Sequence, residues 1–334
     1  MKINILLALF LILKISTALG QDIHWSQFNA IPLFQNPGNT GHFNGDYRFV
    51  ANYRNQWKSV TVPFSTFSVS ADTHLKNAKK IGLGMLFFHD AVGDGKLRTI
   101  EFQASGSYLI KLSADSSHSI RPGISLGINY RQVNSNPFYF DNQFNGITFD
   151  PTLPTNEIYQ SDTKINATIG LGAIYDYCKG KRQTITAGIG FYNLNRPNQG
   201  FYTQIVQRDI RVNAFAKALY KLDIDWDLVP SFSVSIQGKY REILLGSSLK
   251  YTLLQNAKSY RALYAGLWYR NNDAAYLSMG MDYQDWFIGI SYDINFSKLV
   301  PASNLRGGFE IATRYILHHF KPKKVIHRVC PDFI

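Results

Sequence analysis

Residues Trp286 to Asn295 read W-F-I-G-I-S-Y-D-I-N, with Trp286, Ile288, Ile290, Tyr292 and Ile294 on one parity and Phe287, Gly289, Ser291, Asp293 and Asn295 on the other. Successive side chains of a strand point to opposite faces, so this is a strand with one apolar face and one small or polar face. The dyad recurs along most of the chain. Ile81, Leu83, Met85 and Phe87 alternate with Gly82 and Gly84; Ile100, Phe102 and Ala104 alternate with Glu101, Gln103 and Ser105; Ile124, Leu126, Ile128 and Tyr130 alternate with Ser125, Asn129 and Arg131. The pattern predicts strands over 48–54, 64–74, 80–89, 99–111, 119–133, 163–177, 183–194, 209–222, 228–237, 241–253, 261–270, 274–283, 286–295 and 308–317. These segments are long enough to cross a bilayer as tilted strands, and their even count, about 14, suits a single-chain bacterial barrel with an apolar exterior and a polar lumen. After Gln21 no stretch of about 18 consecutive apolar residues occurs, so no spanning helix is predicted. The fold class read here is all-β: one antiparallel transmembrane β-barrel of about 14 strands, with an N-terminal periplasmic or plug segment and a short C-terminal tail.

Connection lengths supply the orientation. Linkers 75–79, 112–118, 178–182, 223–227, 254–260 and 284–285 are short, whereas 134–162, 195–208 and 296–307 are long. Barrels of this class keep short turns in the periplasm and longer loops outside, so both termini are predicted to be periplasmic. The N-terminus adds a segment of another kind. Lys2 precedes an apolar run, Ile3 to Leu13, and Ala18-Leu19-Gly20 supplies small residues before Gln21. This is the layout of a cleaved export signal, and Lys14 interrupts the run before it reaches spanning length. The predicted organisation is residues 1–20 signal peptide, 21–45 N-terminal periplasmic or plug segment, 46–317 barrel and 318–334 periplasmic tail. Closing one sheet requires all the strands together, so the barrel is a single domain.

Composition sharpens this picture. The 334 residues include 23 Phe and 20 Tyr, which suit the aromatic girdles at the two membrane interfaces. The formal charge is +12, but Lys and Arg are spread over polar faces and turns rather than clustered, apart from Lys321, Lys323, Lys324, His327 and Arg328 near the end. For an exported protein that balance points to anionic lipid or an acidic partner, and not to nucleic acid. The inward-parity charges Arg121, Arg131, Lys164, Lys217, Lys221, Lys250, Glu310 and Arg314 would line an anion-favouring pore, or pair in a plugged lumen with Glu101, Asp176, Asp282 and Asp293. A barrel this wide needs a plug or encloses a channel, and the 21–45 segment is the plug candidate.

No catalytic constellation emerges: there is no G-x-S-x-G elbow, and no spacing selects a nucleophile with its base. No cofactor or metal is predicted. His318 and His319, adjacent on one strand, point apart and would not share an ion, and Gly93-Asp94-Gly95 beside Asp90 reads as a tight turn. Only two cysteines occur, Cys178 and Cys330. In the proposed topology both lie on the periplasmic side, where a disulfide would tie the tail beneath the barrel.

Several stretches resemble the PorP/SprF family of type IX secretion system membrane proteins of Bacteroidetes. They are the mature opening Q-D-I-H-W-S-Q-F-N-A-I-P-L-F-Q-N-P-G-N-T-G (Gln21 to Gly41), Y-R-N-Q-W (Tyr53, Arg54, Asn55, Gln56, Trp57), G-D-G-K-L-R-T (Gly93 to Thr99), N-R-P-N-Q (Asn195, Arg196, Pro197, Asn198, Gln199), L-V-P-A-S-N-L-R-G-G-F-E (Leu299 to Glu310, with Asn304 and Arg306) and the ending C-P-D-F (Cys330 to Phe333), where Asp332 replaces an expected basic residue. The resemblance implies a non-enzymatic outer-membrane component of the type IX secretion and gliding apparatus. Such a barrel docks a periplasmic ring or peptidoglycan-linked components, anchors the C-terminal domain of a large surface adhesin, or both. The named residues from Tyr53 to Trp57, Asn195 to Gln199, Asn304 and Arg306 are the candidate partner contacts. For Tyr53 to Trp57 the alternative is a girdle of aromatics with Arg54 anchored at the interface. The competing function is a passive diffusion or uptake porin.

Overall fold

The computed structural model describes residues 22–318 except 57–61, 76–77, 94–95, 135–137, 158–160, 181, 203, 257–258 and 298–299. Strands β1 (Tyr47–Gln56), β2 (Phe64–Leu75), β3 (Ala78–Val92), β4 (Leu97–Tyr108), β5 (Ile110–Lys111), β6 (His118–Gln132), β7 (Thr163–Gly180), β8 (Gln183–Tyr192), β9 (Arg211–Lys221), β10 (Trp226–Gln237), β11 (Tyr240–Gln255), β12 (Tyr260–Arg270), β13 (Ala274–Tyr283), β14 (Trp286–Asn295) and β15 (Arg306–Leu317) form one antiparallel sheet. Pairing of β1 with β15, and of β4 with β6, closes it into a cylinder of 14 strands. The two-residue β5 follows β4 after Leu109 and pairs with β6 alone. Closure removes every free edge, which is the condition for a sheet to sit in lipid.

Alternation decides which side chains meet lipid. Trp286, Ile288, Ile290, Tyr292 and Ile294 are exposed on the outer surface, and Gly289, Ser291, Asp293 and Asn295 are buried inside. Met85, Phe102, Ile128, Leu249 and Leu267 share the outer surface. Aromatic side chains cluster toward both ends: Trp286 against Tyr315 and Trp226 against Tyr251 (ring centroids 4.6 Å apart in each pair) where strands meet short turns, and Tyr269 against Phe296 (5.9 Å) at the other end. These are two interfacial belts.

The cylinder has two unlike mouths. At one, strands join through short turns such as Asp223 to Asp225 and Gln284–Asp285. At the other lie the long connections from β6 to β7, β8 to β9 and β14 to β15. Two tight turns stay at the long-loop mouth, where Gly238 and Asn272 take positive φ (57° and 56°).

The chain that precedes β1 runs inside the cylinder. A 3-10 turn (Phe28–Ala30), one helical turn (Pro32–Gln35) and a second 3-10 turn (Pro37–Asn39) fold it compactly, and Trp25, Ser26, Ile31, Leu33, Gln35, Asn36, Asn39 and Thr40 are buried. Asp22 lies toward the long-loop mouth, bonded to Arg208 and Gln237. Gly41 lies toward the short-turn mouth, donating its N–H to Asp72 (2.7 Å). The segment therefore traverses the lumen before the chain turns back into the wall as β1.

A groove of missing side chains receives it. At Gly82 an added Cβ would fall 2.3 Å from the Thr40 carbonyl oxygen, and at Gly123 it would fall 2.5 Å from the Pro37 carbonyl oxygen. Both positions face inward, so glycine there lets backbone approach backbone.

Candidate functional site

The lumen is where charge concentrates, and its wall and the N-terminal segment meet through three polar clusters. The central one is built on Ser26, which is fully buried. Its hydroxyl donates to Asp293 Oδ1 (2.8 Å) and accepts from Arg54 Nη1 and Arg270 Nη2 (2.6 Å each). Its backbone N–H and that of Gln27 donate to the two oxygens of Glu310 (2.8 and 2.9 Å). Arg54 also reaches Glu310 (3.1 Å) and Asp293 (2.9 Å), and Arg270 reaches Asp293 (3.1 Å). Two guanidiniums and two carboxylates, supplied by β1, β12, β14 and β15, thus surround one hydroxyl of the segment. Buried ion pairs roughly break even against desolvation, but losing one partner leaves a charge stranded at a cost of about 3–5 kcal/mol. His24 lies just above this cluster. Burial, then repulsion from Arg54 and Arg270, keeps its imidazole well below the usual value, so it is neutral at pH 7.

The second cluster lies toward the long-loop mouth. Arg208 projects from the β8–β9 connection into the lumen and joins Asp22 (2.8 Å) to Glu101 of β4 (3.1 Å). Burial works to raise the Asp22 carboxyl, but Arg208 and Arg211 outweigh it and hold the group well below the usual carboxylate range. Arg211 also lies over the rings of Phe34 (4.2 Å) and Tyr192 (4.5 Å), a cation–π sandwich between segment and wall. In the third cluster, Arg48 chelates Asp72 (2.9 and 2.7 Å) and donates to the Asn39 carbonyl (2.9 Å), while Ser105 and Ser107 bond Thr40. Planar two-pronged Arg–carboxylate geometry is among the stronger polar contacts available to a protein.

The residues singled out in the sequence distribute unevenly over this architecture. Tyr53 is exposed on the outer face. Arg54 is not an interface anchor: only 1% exposed, it has the opposite parity to Tyr53 and belongs to the Ser26 cluster. Asn55 and Gln56 are half-buried, and Trp57 lies outside the described residues. Of the β8–β9 loop, Asn195 and Arg196 are exposed, Asn195 donating to the Ala167 carbonyl (2.7 Å) and Arg196 pairing with Asp209 (3.3 Å). Pro197 is buried, Asn198 accepts the N–H groups of Gly200 and Val206, and Gln199 accepts from Arg131 (2.6 Å). This loop is held in shape by its own side chains, and its shape delivers Arg208 to the lumen. Asn304 and Arg306 are exposed at the long-loop mouth, Asn304 in a positive-φ turn (50°).

Cys178 is exposed at the short-turn end of β7, with its thiol 3.4 Å from the Gly180 carbonyl, and Cys330 lies outside the described residues. Asp90 points into the lumen and accepts from Thr66 (2.7 Å), while Asp94 and Gly95 lie outside the described residues. His318 bonds Asp285 and the Asn44 carbonyl (3.1 Å each); His319 lies outside the described residues. Among the inward cations, Arg121 is buried, but Lys221 at the end of β9 is exposed, because the lumen no longer covers the last residues of a strand.

The family of type IX secretion system membrane proteins PorP/SprF matches residues 17–315, a span that includes the lumen segment and every strand to within two residues of the end of β15. The chain belongs to the PorP/SprF family. As a PorP/SprF protein it is an outer-membrane component of type IX secretion, and it is a membrane barrel in family and fold. No relative was found among curated proteins. Two solved structures share the architecture. The Pseudomonas putida toluene transporter TodX superposes with a TM-score of 0.52 at 9% identity, covering 85% of this chain and 92% of its own. The Ralstonia pickettii toluene transporter TbuX gives 0.51 at 10% identity, covering 86% and 94%. At such identity the likeness is one of fold, and it places this PorP/SprF member among outer-membrane barrels.

Proposed function

We propose that this PorP/SprF barrel is a closed docking platform of the type IX apparatus, and that it does not act as a passage. The observation that carries this reading is the occupied lumen: a barrel that spends three polar clusters on holding its own N-terminal segment offers surfaces to partners. With the short turns in the periplasm, the short-turn mouth and the tail from His318 onward meet the periplasmic ring or peptidoglycan-linked components. The long-loop mouth, with Asn195, Arg196, Asn304 and Arg306 exposed, meets the C-terminal domain of a large surface adhesin. In this reading the segment from Asp22 to Gly41 is a plug, and gliding or secretion depends on what is docked.

Two measurements test it. Gentle detergent extraction and pull-down of the intact protein recovers type IX components with the barrel; recovery of the barrel alone overturns the docking role. In planar bilayers the intact protein shows no steady conductance. A stable, anion-preferring open state would instead support the porin reading and refute a plug.

A further inference from the structure

Below Ser26 the lumen segment does not fill the barrel. A cavity of about 200 Å³ lies between Phe28 and the wall residues Trp268, Tyr276, Tyr264 and Phe287, with Lys217 and Arg314 at its lower edge. A second cavity of about 250 Å³ shares Asn29, Ala30, Lys217, Phe287 and Arg314 with the first and extends to His42, Phe43 and Asn44 at the short-turn mouth. Their shared lining makes them adjoining parts of one pocket, aromatic at its inner end and cationic at its waist.

The inner end is an aromatic box. Phe28 meets Trp268 edge-on (5.7 Å), Trp268 stacks on Tyr276 (5.8 Å), and Tyr264 meets Phe287 edge-on (5.8 Å). The waist is set by Lys217. Neighbouring carboxylates are engaged elsewhere: Asp72 by Arg48 and Gly41, Asp282 by Tyr264 (2.6 Å) and Arg314 (3.4 Å), Asp176 by Thr186 (2.6 Å) and His42 (3.1 Å). Among the described residues none of them forms an ion pair with Lys217, which sits in the combined field of Arg48, Arg314 and Asp176. With Lys217 and Arg314 both lining the two cavities, and no carboxylate among the described residues paired to the ammonium, the waist has the charge to receive an anion.

We propose that this pocket binds an amphipathic organic carboxylate that enters from the short-turn mouth, places an aromatic or short aliphatic body in the box of Phe28, Trp268, Tyr264, Tyr276 and Phe287, and seats its carboxylate on Lys217 and Arg314. The site is independent of what the barrel docks. Because Phe28 and Asn29 belong to the lumen segment, an occupied pocket also braces that segment from below.

The test uses three neutral-detergent titrations of the full protein by calorimetry, with phenylbutyrate, phenylbutanol and phenylbutylamine as probes. The shared body fits the box equally; only the head group differs. The expected order is carboxylate tightest, alcohol weaker and amine weakest. Lys217→Met lowers carboxylate affinity about tenfold or more, as expected for losing a charge-assisted contact, and leaves the alcohol unchanged. Lys217→Arg retains the preference. Equal binding of the three probes to the wild-type protein, preference for the amine, or no binding at all overturns the proposal. The wild-type comparison stands even if a variant fails to fold.

Discussion

Replacing Arg54 by Met tests whether the Ser26 cluster holds the lumen segment in place. In the intact protein Arg54 contacts Ser26, Asp293 and Glu310, and both acids are almost fully buried. Methionine fills similar volume but supplies no charge. With the segment seated, Asp293 keeps Arg270 and the Ser26 hydroxyl, and Glu310 keeps two backbone N–H groups. With the segment displaced, water reaches both carboxylates and solvates them. The penalty of the missing cation therefore falls on the seated state, and with those partners retained it belongs at the lower end of the range for breaking a buried pair, about 3 kcal/mol. At about 1.4 kcal/mol per decade the displaced population rises roughly a hundredfold. A cysteine at Ser231 reports it, because Ser231 is buried and accepts from Asn29 of the segment (3.0 Å). With Cys178 and Cys330 changed to Ser, the rate of modification by a charged, membrane-impermeant maleimide follows the displaced population when reseating is fast. Arg54→Met should label roughly a hundred times faster than its parent, by the same conversion, and Arg54→Lys should fall between. An unchanged rate would refute the assignment of the cluster as the clamp.

Other outcomes follow from the same geometry. Gly123→Val places carbon against the Pro37 carbonyl; overpacking of this kind costs about 1–3 kcal/mol, and it should raise Ser231Cys labelling while leaving the heat-modifiable gel mobility of the barrel intact. Ile290→Lys puts a charge on the lipid face and should lower folding stability in bilayers by about 2–4 kcal/mol if Ile290 sits near mid-membrane; denaturant titration in vesicles measures it, and a neutral effect would contradict the outward facing of β14. Acid should loosen the segment in two stages. Burial keeps His24 and His42 below the usual imidazole value, so the seated state binds fewer protons than the released one and its stability falls as pH drops below about 6.5. The depressed Asp22 carboxyl adds its loss only below about pH 4. Labelling of the Ser231 cysteine between pH 7 and 5, corrected for thiolate fraction, should rise in the parent and flatten in His24→Gln; a profile indifferent to His24 would exclude its part in the first stage.

All 14 strands closing the barrel were legible in the sequence, and β12, β13 and β14 end within a residue of where alternation placed them. The reason is local: a strand's two faces are written at every second position, and lipid on one side with a polar lumen on the other keeps that signal clean. Loop lengths sorted the two mouths for the same reason. Arg54 shows where local reading stopped. Its motif neighbours suggested a surface contact, but parity turns it inward, and only the closed cylinder brings β1 beside β15 and, across Ser26, within reach of β12 and β14.

Nor did the N-R-P-N-Q stretch reveal that its loop carries Arg208 into the lumen, although an arginine following such a loop was there to be seen. The unpaired state of Lys217 was equally hidden, since inward charges can be enumerated from alternation but not matched. The strands, their lipid face and the inventory of lumen charges can all be read off the chain locally, because each depends on neighbours one or two residues away. The tertiary structure alone decided which charges meet and how the N-terminal segment threads among them: Ser26 and Glu310 are 284 residues apart, and their contact exists only once the first strand has closed against the last.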